Sequence, residues 1–331
     1  MTEGIGWAPC HHGELLQGFF HDATGATRRG LVTLPMTGPG TRAHFTRTEG
    51  GPLLAVPGER AKARRAAELA VRECARRRRC PPGGGRLQLG AGVPVGLGMG
   101  SSTSDVIAAV RAVFAAFGLV ADPGTTARIA VRAERACDPL MLGGGPLLFA
   151  QRDGEVLEEL GAALPPLAVV GCLTGGGRPV DTLALAADRA ADVAGYERLR
   201  GALRTAVADG DAALLGRVST ASARLNQRVL TKAELPALER LAEHVGAVGV
   251  QVAHSGNVAG LLFDATTPDF DRRVRAGVRG LRREGITATR VFRAQQRASG
   301  GRAWTSTSPK PSAGRTWCGP VPASSASDSR R

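Results

Sequence analysis

The sequence predicts an α+β protein, and three observations carry that expectation. The first 57 residues are rich in Gly, Thr and short apolar alternations, the pattern of strands and turns. A Gly-rich loop then runs directly into a strongly amphipathic helix. Beyond residue 150, short apolar runs alternate with helical periodicity up to about residue 293. The 331 residues suffice for one large domain or two ordinary ones. With 43% hydrophobic and 22% charged residues the balance is globular, which argues against bulk disorder.

Within the first stretch, residues 31–35 and 41–48 alternate as strands. From 59 to about 79 the pattern turns helical, with Ala66, Leu69, Ala70 and Cys74 on one face. The arginines at 76–79 suit the solvated C-terminal end of that helix, where the dipole favours cations. Pro81, Pro82 and three glycines break the chain, and residues 86–89 form a short strand. After the Gly-rich loop at 90–100, Val106, Ile107, Val110, Val113, Phe114 and Phe117 mark one helical face. Ser101 is expected to cap that helix and Gly118 to end it. Asp122-Pro123 supplies the N-cap and first-turn proline of the next helix, which runs to about Ala136. Pro139 disfavours the α region at Asp138 and stops it. Strands are expected at 146–150 and 167–173, and helices near 195–208, 211–227 and 235–245. Strands at 247–252 and 258–263 flank a turn at 254–257. A helix near 268–283 and a strand at 287–292 follow. No internal repeat is present.

After about Arg293, Ser, Thr, Gly, Pro and Arg dominate and periodicity vanishes, so residues 294–331 read as a disordered basic tail. Residues 290–331 hold eight basic residues and one acidic residue, half of the chain's net charge of +14. Only Lys62, Lys232 and Lys310 are lysines, so the basicity is an arginine bias rather than a nucleic-acid footprint. Aromatic residues are only 4%, too few to stack bases widely, and no nucleic-acid partner is expected. No window approaches 18 uninterrupted apolar residues, and Met1-Thr2-Glu3-Gly4 lacks the start of a secretory signal. A cytoplasmic protein without membrane association is expected. The six cysteines form no C-x-x-C pair and read as free thiols in a reducing compartment.

The sharpest motif is Pro94-Val95-Gly96-Leu97-Gly98-Met99-Gly100-Ser101-Ser102-Thr103. Its glycines let backbone N–H groups converge, and the helix start adds positive potential, a combination that fits a polyphosphate. No Gly-Lys-Ser/Thr follows, so it is not a Walker A loop, and a third glycine at 101 is lacking for a dinucleotide fingerprint. The plainer alternative is a Gly-rich turn with a serine cap.

Pro94, Gly98, Gly100, Ser101, Ser102 and Thr103 fill the P-x-x-x-G-x-G-S-S-[AT] pattern that resembles the second motif of the GHMP kinases. The segment Ala8-Pro9-Cys10-His11-His12-Gly13-Glu14-Leu15-Leu16-Gln17-Gly18 is similar to their first motif in its L-threonine kinase form, with His12 where that branch usually has Cys. Residues 249–264, around His254-Ser255-Gly256-Asn257, resemble the third motif of the same branch. The resemblance implies a two-domain fold: an N-terminal α/β sandwich with a left-handed crossover over 1–150, and a ferredoxin-like domain over 151–293. It also implies ATP and Mg²⁺, with the active site between the domains.

Under that resemblance, Pro94, Gly96, Gly98, Met99, Gly100, Ser101, Ser102 and Thr103 would bind the nucleotide, and Ser102 and Glu134 would hold the metal. Glu134 is otherwise a surface ion pair between Arg132 and Arg135. Asp138 would be the catalytic base, or else only a helix-ending Asp-Pro turn. Glu14 and Gln17 would face the substrate, an acidic group there suiting an ammonium, or else form a surface pair. His254, Ser255 and Gly256 belong to the third-motif loop, where His254 is expected to hydrogen-bond. Asp181 and Thr182 resemble a substrate-side segment. The implied reaction is phosphorylation of the L-threonine side chain, feeding cobalamin synthesis. Homoserine or another small alcohol, or a catalytically inactive ligand-binding protein, are the alternatives. An amino acid is the expected partner, and the chain is read as a monomer or homodimer.

Overall fold

A computed structural model of the chain describes residues 2–56, 59–94, 96–177 and 192–294. The sheet is built on two long antiparallel strands, β1 (Glu3–His21) and β2 (Thr27–Thr48). The two short strands expected at 31–35 and 41–48 are segments of β2. The register of β1 shifts between Pro9 and His11, between His11 and Glu14, and between Glu14 and Leu16. These bulges break strict alternation, so that residues 10–17 are all buried rather than every second one.

β3 (Leu53–Val56) and β4 (Gly84–Ala91) are parallel, joined by α1 (Ala61–Arg78), whose alanine face packs inward. α2 (Ser101–Ala116) has 13 of its 16 residues buried, from Ser101 to Ala116. It packs on β1, β2, α1 and α3, so an apolar surface on nearly every side is what its position demands. α3 (Pro123–Glu134) starts as expected, with the Asp122 carboxylate accepting from Thr125 N. It ends at Glu134, two residues earlier than expected, and is followed by Arg135 as C-cap with a left-handed φ of 69°.

Beyond α3, β5 (Leu147–Ala150) pairs with β2 and with β6 (Glu155–Glu159). Then follow β7 (Leu167–Leu173), α4 (Val193–Ala208), α5 (Ala212–Asn226) and α6 (Leu235–Val245). β8 (Gly249–Val252), β9 (Val258–Asp264), α7 (Phe270–Arg283) and β10 (Thr287–Ala294) complete the described chain. β10, β7, β9 and β8 lie side by side, all antiparallel. That is the strand order of a ferredoxin-like βαββαβ unit with extra helices in its first crossover. Glu14 of β1 pairs with Val252 of β8, so one sheet runs through both halves. One core cluster likewise joins Leu15, Leu16 and Phe20 to Leu167, Tyr196, Leu262 and Phe292. Among the described residues no helix is long and apolar enough to cross a membrane. Asp181, Thr182 and the tail from 295 onward lie outside the described residues.

Candidate active site

The Gly-rich loop at 94–103 is held from both sides. His11 N donates to Met99 O at 3.2 Å, and Asn257 N and Val258 N both donate to Leu97 O at 2.9 Å. The first and third motifs therefore meet across the second. Gly98 has φ +82°, and a Cβ there would lie 2.5 Å from Ala253 Cβ and 2.9 Å from Gly256 Cα. Only glycine permits both that backbone and that approach. Lys232, which carries no expectation from the sequence, is buried and donates its Nζ to Gly256 O from the segment before α6.

The loop does not end in a serine cap. Gly100 is the N-cap of α2, with a left-handed φ of 64°, and no side chain caps the helix. The first-turn amides have no acceptor within the helix. They face a cavity of about 390 Å³, lined by Gly96, Gly98, Gly100, Ser101, Ser102 and Thr103. An uncapped helix start opening on a cavity is suited to receive an anion. Pro94 is exposed, the Met99 side chain packs in the core, and Val95 lies outside the described residues.

Glu134 is 6% exposed, not a surface residue. Ser102 Oγ donates to its Oε2 and Thr103 Oγ1 to its Oε1, both at 2.8 Å. Burial pushes its carboxyl up to about 7, against the pull of those two hydrogen bonds. A buried carboxylate with two hydroxyls and no ion-pair partner among the described residues offers hard oxygen donors to a cation. Ser102 and Glu134 fit Mg²⁺ on that ground.

Asp138 follows α3 and lines the same cavity, close to the start of α2. His11 Nε2 lies 3.1 Å from its Oδ2, and Asp138 N donates to Thr103 Oγ1 at 3.3 Å. The other ring nitrogen, Nδ1, is 3.1 Å from Gly13 O. Both nitrogens thus face acceptors, which favours the doubly protonated ring. Burial alone would lower the His11 pKa, but the charge of Asp138, reinforced by Glu14, pushes it up to about 9. Burial would likewise raise Asp138, yet the His11 cation and hydrogen bonds hold it below the usual carboxylate range. The sequence gives His11 no partner because Asp138 is remote in the chain. The signal that could have found it is its place three residues before Glu14 in the first motif. Ligand atoms of His11, Glu14 and Asp138 lie within 4.8 Å of one another.

Glu14 and Gln17 are buried in β1 and both reach the third-motif turn. The Glu14 carboxylate accepts from His254 N, and His254 Nδ1 lies 2.9 Å from Gln17 Oε1. Since an amide oxygen only accepts, the His254 proton sits on Nδ1. Burial, with Arg29 nearby, pushes His254 down to about 4, so it is neutral near pH 7. Burial, opposed by His11, pushes Glu14 up to about 7. His254 and Ser255 line the cavity, whereas Gly256 sits against Gly98. Arg29, Lys62, Gln151 and Arg152, none of them a sequence-based candidate, also line it. Five of the cysteines are described, and all are free. Burial pushes the Cys137 thiol, which lines the cavity, well above its ordinary range, far from a reactive thiolate.

Residues 62–146 match the family model of the GHMP kinases N terminal domain. The chain is 26% identical over 204 residues to the L-threonine kinase of Citrobacter freundii, across 56% of this chain and 65% of that protein. It thus spans about 65% of the length of the curated relative it matches. The homoserine kinase of Cytophaga hutchinsonii superposes with a TM-score of 0.63 at 17% identity, over 91% of this chain and 96% of that one. A structure described as MDDEF in complex with MVAPP, AMPPCP and magnesium superposes with a TM-score of 0.60 at 14% identity, over 89% and 98%. The α+β fold is that of the GHMP kinases.

The His11–Asp138 pair makes folding stability depend on pH. Folded His11 keeps its proton up to about 9, against 6.5 for an ordinary histidine. Its contribution is therefore complete below about 6.5 and is lost as pH rises through about 9. In urea, the unfolding midpoint should fall between about pH 7 and 8, and Asp138→Asn should flatten that fall. An equally steep fall in the variant would place its source elsewhere.

Proposed function

We propose that this protein transfers the γ-phosphoryl group of ATP to the hydroxyl of a small molecule, L-threonine first, giving O-phospho-L-threonine and ADP. The observation that carries the reading is that one cavity is lined both by Ser102 and Glu134 and by the His11–Asp138 pair, with Thr103 touching both Glu134 and Asp138. The amides at the start of α2 bind phosphate oxygens, and Lys62 adds a cation on that side. Ser102 and Glu134 would hold Mg²⁺, which neutralises charge on the β- and γ-phosphates.

Asp138, kept ionised by His11, accepts the hydroxyl proton. The hydroxyl oxygen bonds to the γ-phosphorus as the bond from that phosphorus to the bridging oxygen breaks, and ADP leaves with that oxygen. His11 remains protonated throughout and holds the carboxylate toward the acceptor. The intact ion pair and the intact Ser102–Glu134 contact favour an active enzyme over an inactive ligand-binding protein. The Citrobacter freundii relative supports threonine as the acceptor, and the relative carrying AMPPCP and magnesium supports the nucleotide and metal. The reading places the enzyme in the cytoplasm, where ATP and free amino acids meet.

The test is acceptor-dependent ADP release with Mg²⁺-ATP. Threonine should stimulate it more than mevalonate or galactose. Equal rates with and without every amino acid would remove the substrate assignment and leave the fold untouched.

A further inference from the structure

We propose that Lys232 is a positioning residue for the nucleotide's phosphates: from outside the cavity, its ammonium acts on the Gly98 amide through two peptide groups in series. The inference deepens the phosphotransfer reading and rests on it only for the place of the phosphates, at the Gly-rich loop.

The row of contacts starts at Lys232 Nζ, which donates to Gly256 O. The N–H of that same peptide group, on Asn257, donates to Leu97 O at 2.9 Å. The peptide group of Leu97 continues as the amide of Gly98, and Gly98 lines the cavity. In a trans peptide the C=O and N–H point in opposite directions. The ammonium, the two peptide dipoles and the Gly98 N–H are therefore aligned head to tail, with the positive end at Gly98. Hydrogen bonds in such a row polarise one another, by roughly 10–30% per bond. Among the described residues the Gly98 amide donates to no acceptor, so an anion in the cavity can take it. Turn and loop also move as one. A Cβ on Gly256 would lie 2.2 Å from Gly98 N and 2.4 Å from Leu97 C.

Lys232 is held firmly enough to act this way. It is 4% exposed, its N donates to Gln227 Oε1 at 2.7 Å, and its O accepts from Leu235 N at 3.1 Å. Beside it, the Glu234 carboxylate accepts from Gly175 N at 2.7 Å, while Thr174 N and Oγ1 both donate to Asn257 O. The third-motif turn is thus gripped at two successive carbonyls. A buried cation is costly, and an apolar side chain would serve stability as well. An ammonium adds a charge-assisted hydrogen bond, about twice as strong as a neutral one. The groups facing it are Glu14 of β1, Glu234, Cys172 of β7 and His254 of the turn. Cys172, pushed up to about 12 by burial, and His254, pushed down to about 4, are neutral near pH 7. Burial pushes Lys232 itself down to about 8, against the pull of Glu14 and Glu234. Above that pH the amine still donates to Gly256 O without its charge, so pH separates polarisation from mere bracing.

Equilibrium titration of the full chain with Mg²⁺-ATP, in the absence of acceptor, and with adenosine tests the proposal. Adenosine lacks the phosphates. The ratio of the two affinities within one sample therefore reads the phosphate site and is insensitive to partial unfolding. Lys232→Met should lower that ratio about tenfold at about pH 7.5. As pH rises to about 9.5, the wild-type ratio should fall toward that of Lys232→Met. In that window Glu14 is already largely ionised, and His11 titrates in both proteins. Lys232→Arg, whose guanidinium stays charged, should hold its ratio more nearly level. No ATP binding by the wild-type chain, a ratio untouched by Lys232→Met, a gap that persists undiminished at about pH 9.5, or an equal fall in Lys232→Arg would overturn the assignment. ADP release on the same samples separates the two readings. Ratios as stated, without ADP release for any acceptor, uphold the role of Lys232 and remove phosphotransfer. Turnover with a ratio untouched by Lys232→Met does the reverse.

Discussion

Asp138→Asn lowers kcat by about 10²–10⁴-fold, the usual worth of general-base catalysis, with little change in nucleotide KM. The expectation follows from where the carboxylate sits. A Cβ placed on Gly100, the N-cap of α2, would lie 3.0 Å from Asp138 Oδ2 and 2.6 Å from His11 Nε2. The carboxylate thus abuts the helix start at which a γ-phosphate would dock. Asparagine keeps its size and can still contact His11, but it cannot take a proton. Steady-state kinetics with saturating acceptor reads the effect. A loose phosphoryl-transfer transition state asks less of a base, so a fall of under about tenfold would mean that positioning and charge suffice. Asp138 would then serve as the partner of His11 and as the turn before Pro139.

Glu134→Gln raises the magnesium concentration needed for half-maximal turnover by at least about tenfold, since even supporting groups around a metal typically contribute 10–100-fold. An amide is a poor ligand for a hard dication, yet it can still meet the hydroxyls of Ser102 and Thr103. Burial already holds the Glu134 carboxyl up to about 7, so loss of its charge should not unfold the protein. The readout is a magnesium titration of initial rates, with the thermal midpoint measured alongside. An unchanged magnesium requirement would show that Glu134 only braces the start of α2. The metal would then be sought among other oxygens, the carboxylates of Glu14 and Asp138 included.

Much of this was legible in the sequence, for identifiable reasons. The helix at Ser101–Ala116 announces itself through Val106, Ile107, Val110, Val113 and Phe114, because a helix packed on several sides needs apolar residues at every inward position. β7 carries its buried run from Leu167 to Cys172 with clear borders, as a strand covered on both faces does. The Ser102–Glu134 contact follows from the motif and its downstream acid. The long first strand was less visible. His11, His12, Glu14 and Gln17 look like surface residues, yet all are buried, because bulges turn that stretch into the wall of a cavity. The Ser101 cap failed for a related reason: the helix start is left uncapped where a ligand can take its amides. The His11–Asp138 pair and the Arg29–Gln151–Arg152 wall depend on tertiary register between β2, β5 and the end of α3. No local pattern encodes that register.

The central claim is transfer of a phosphoryl group to the threonine hydroxyl, and ³¹P spectroscopy of the purified chain with Mg²⁺-ATP and L-threonine tests it most directly. The account predicts a new phosphomonoester resonance, coupled to the threonine β-proton, that grows as the γ-phosphate signal of ATP declines and is nearly absent with Asp138→Asn. Loss of the γ-phosphate to inorganic phosphate alone, at the same rate with and without threonine, would contradict it.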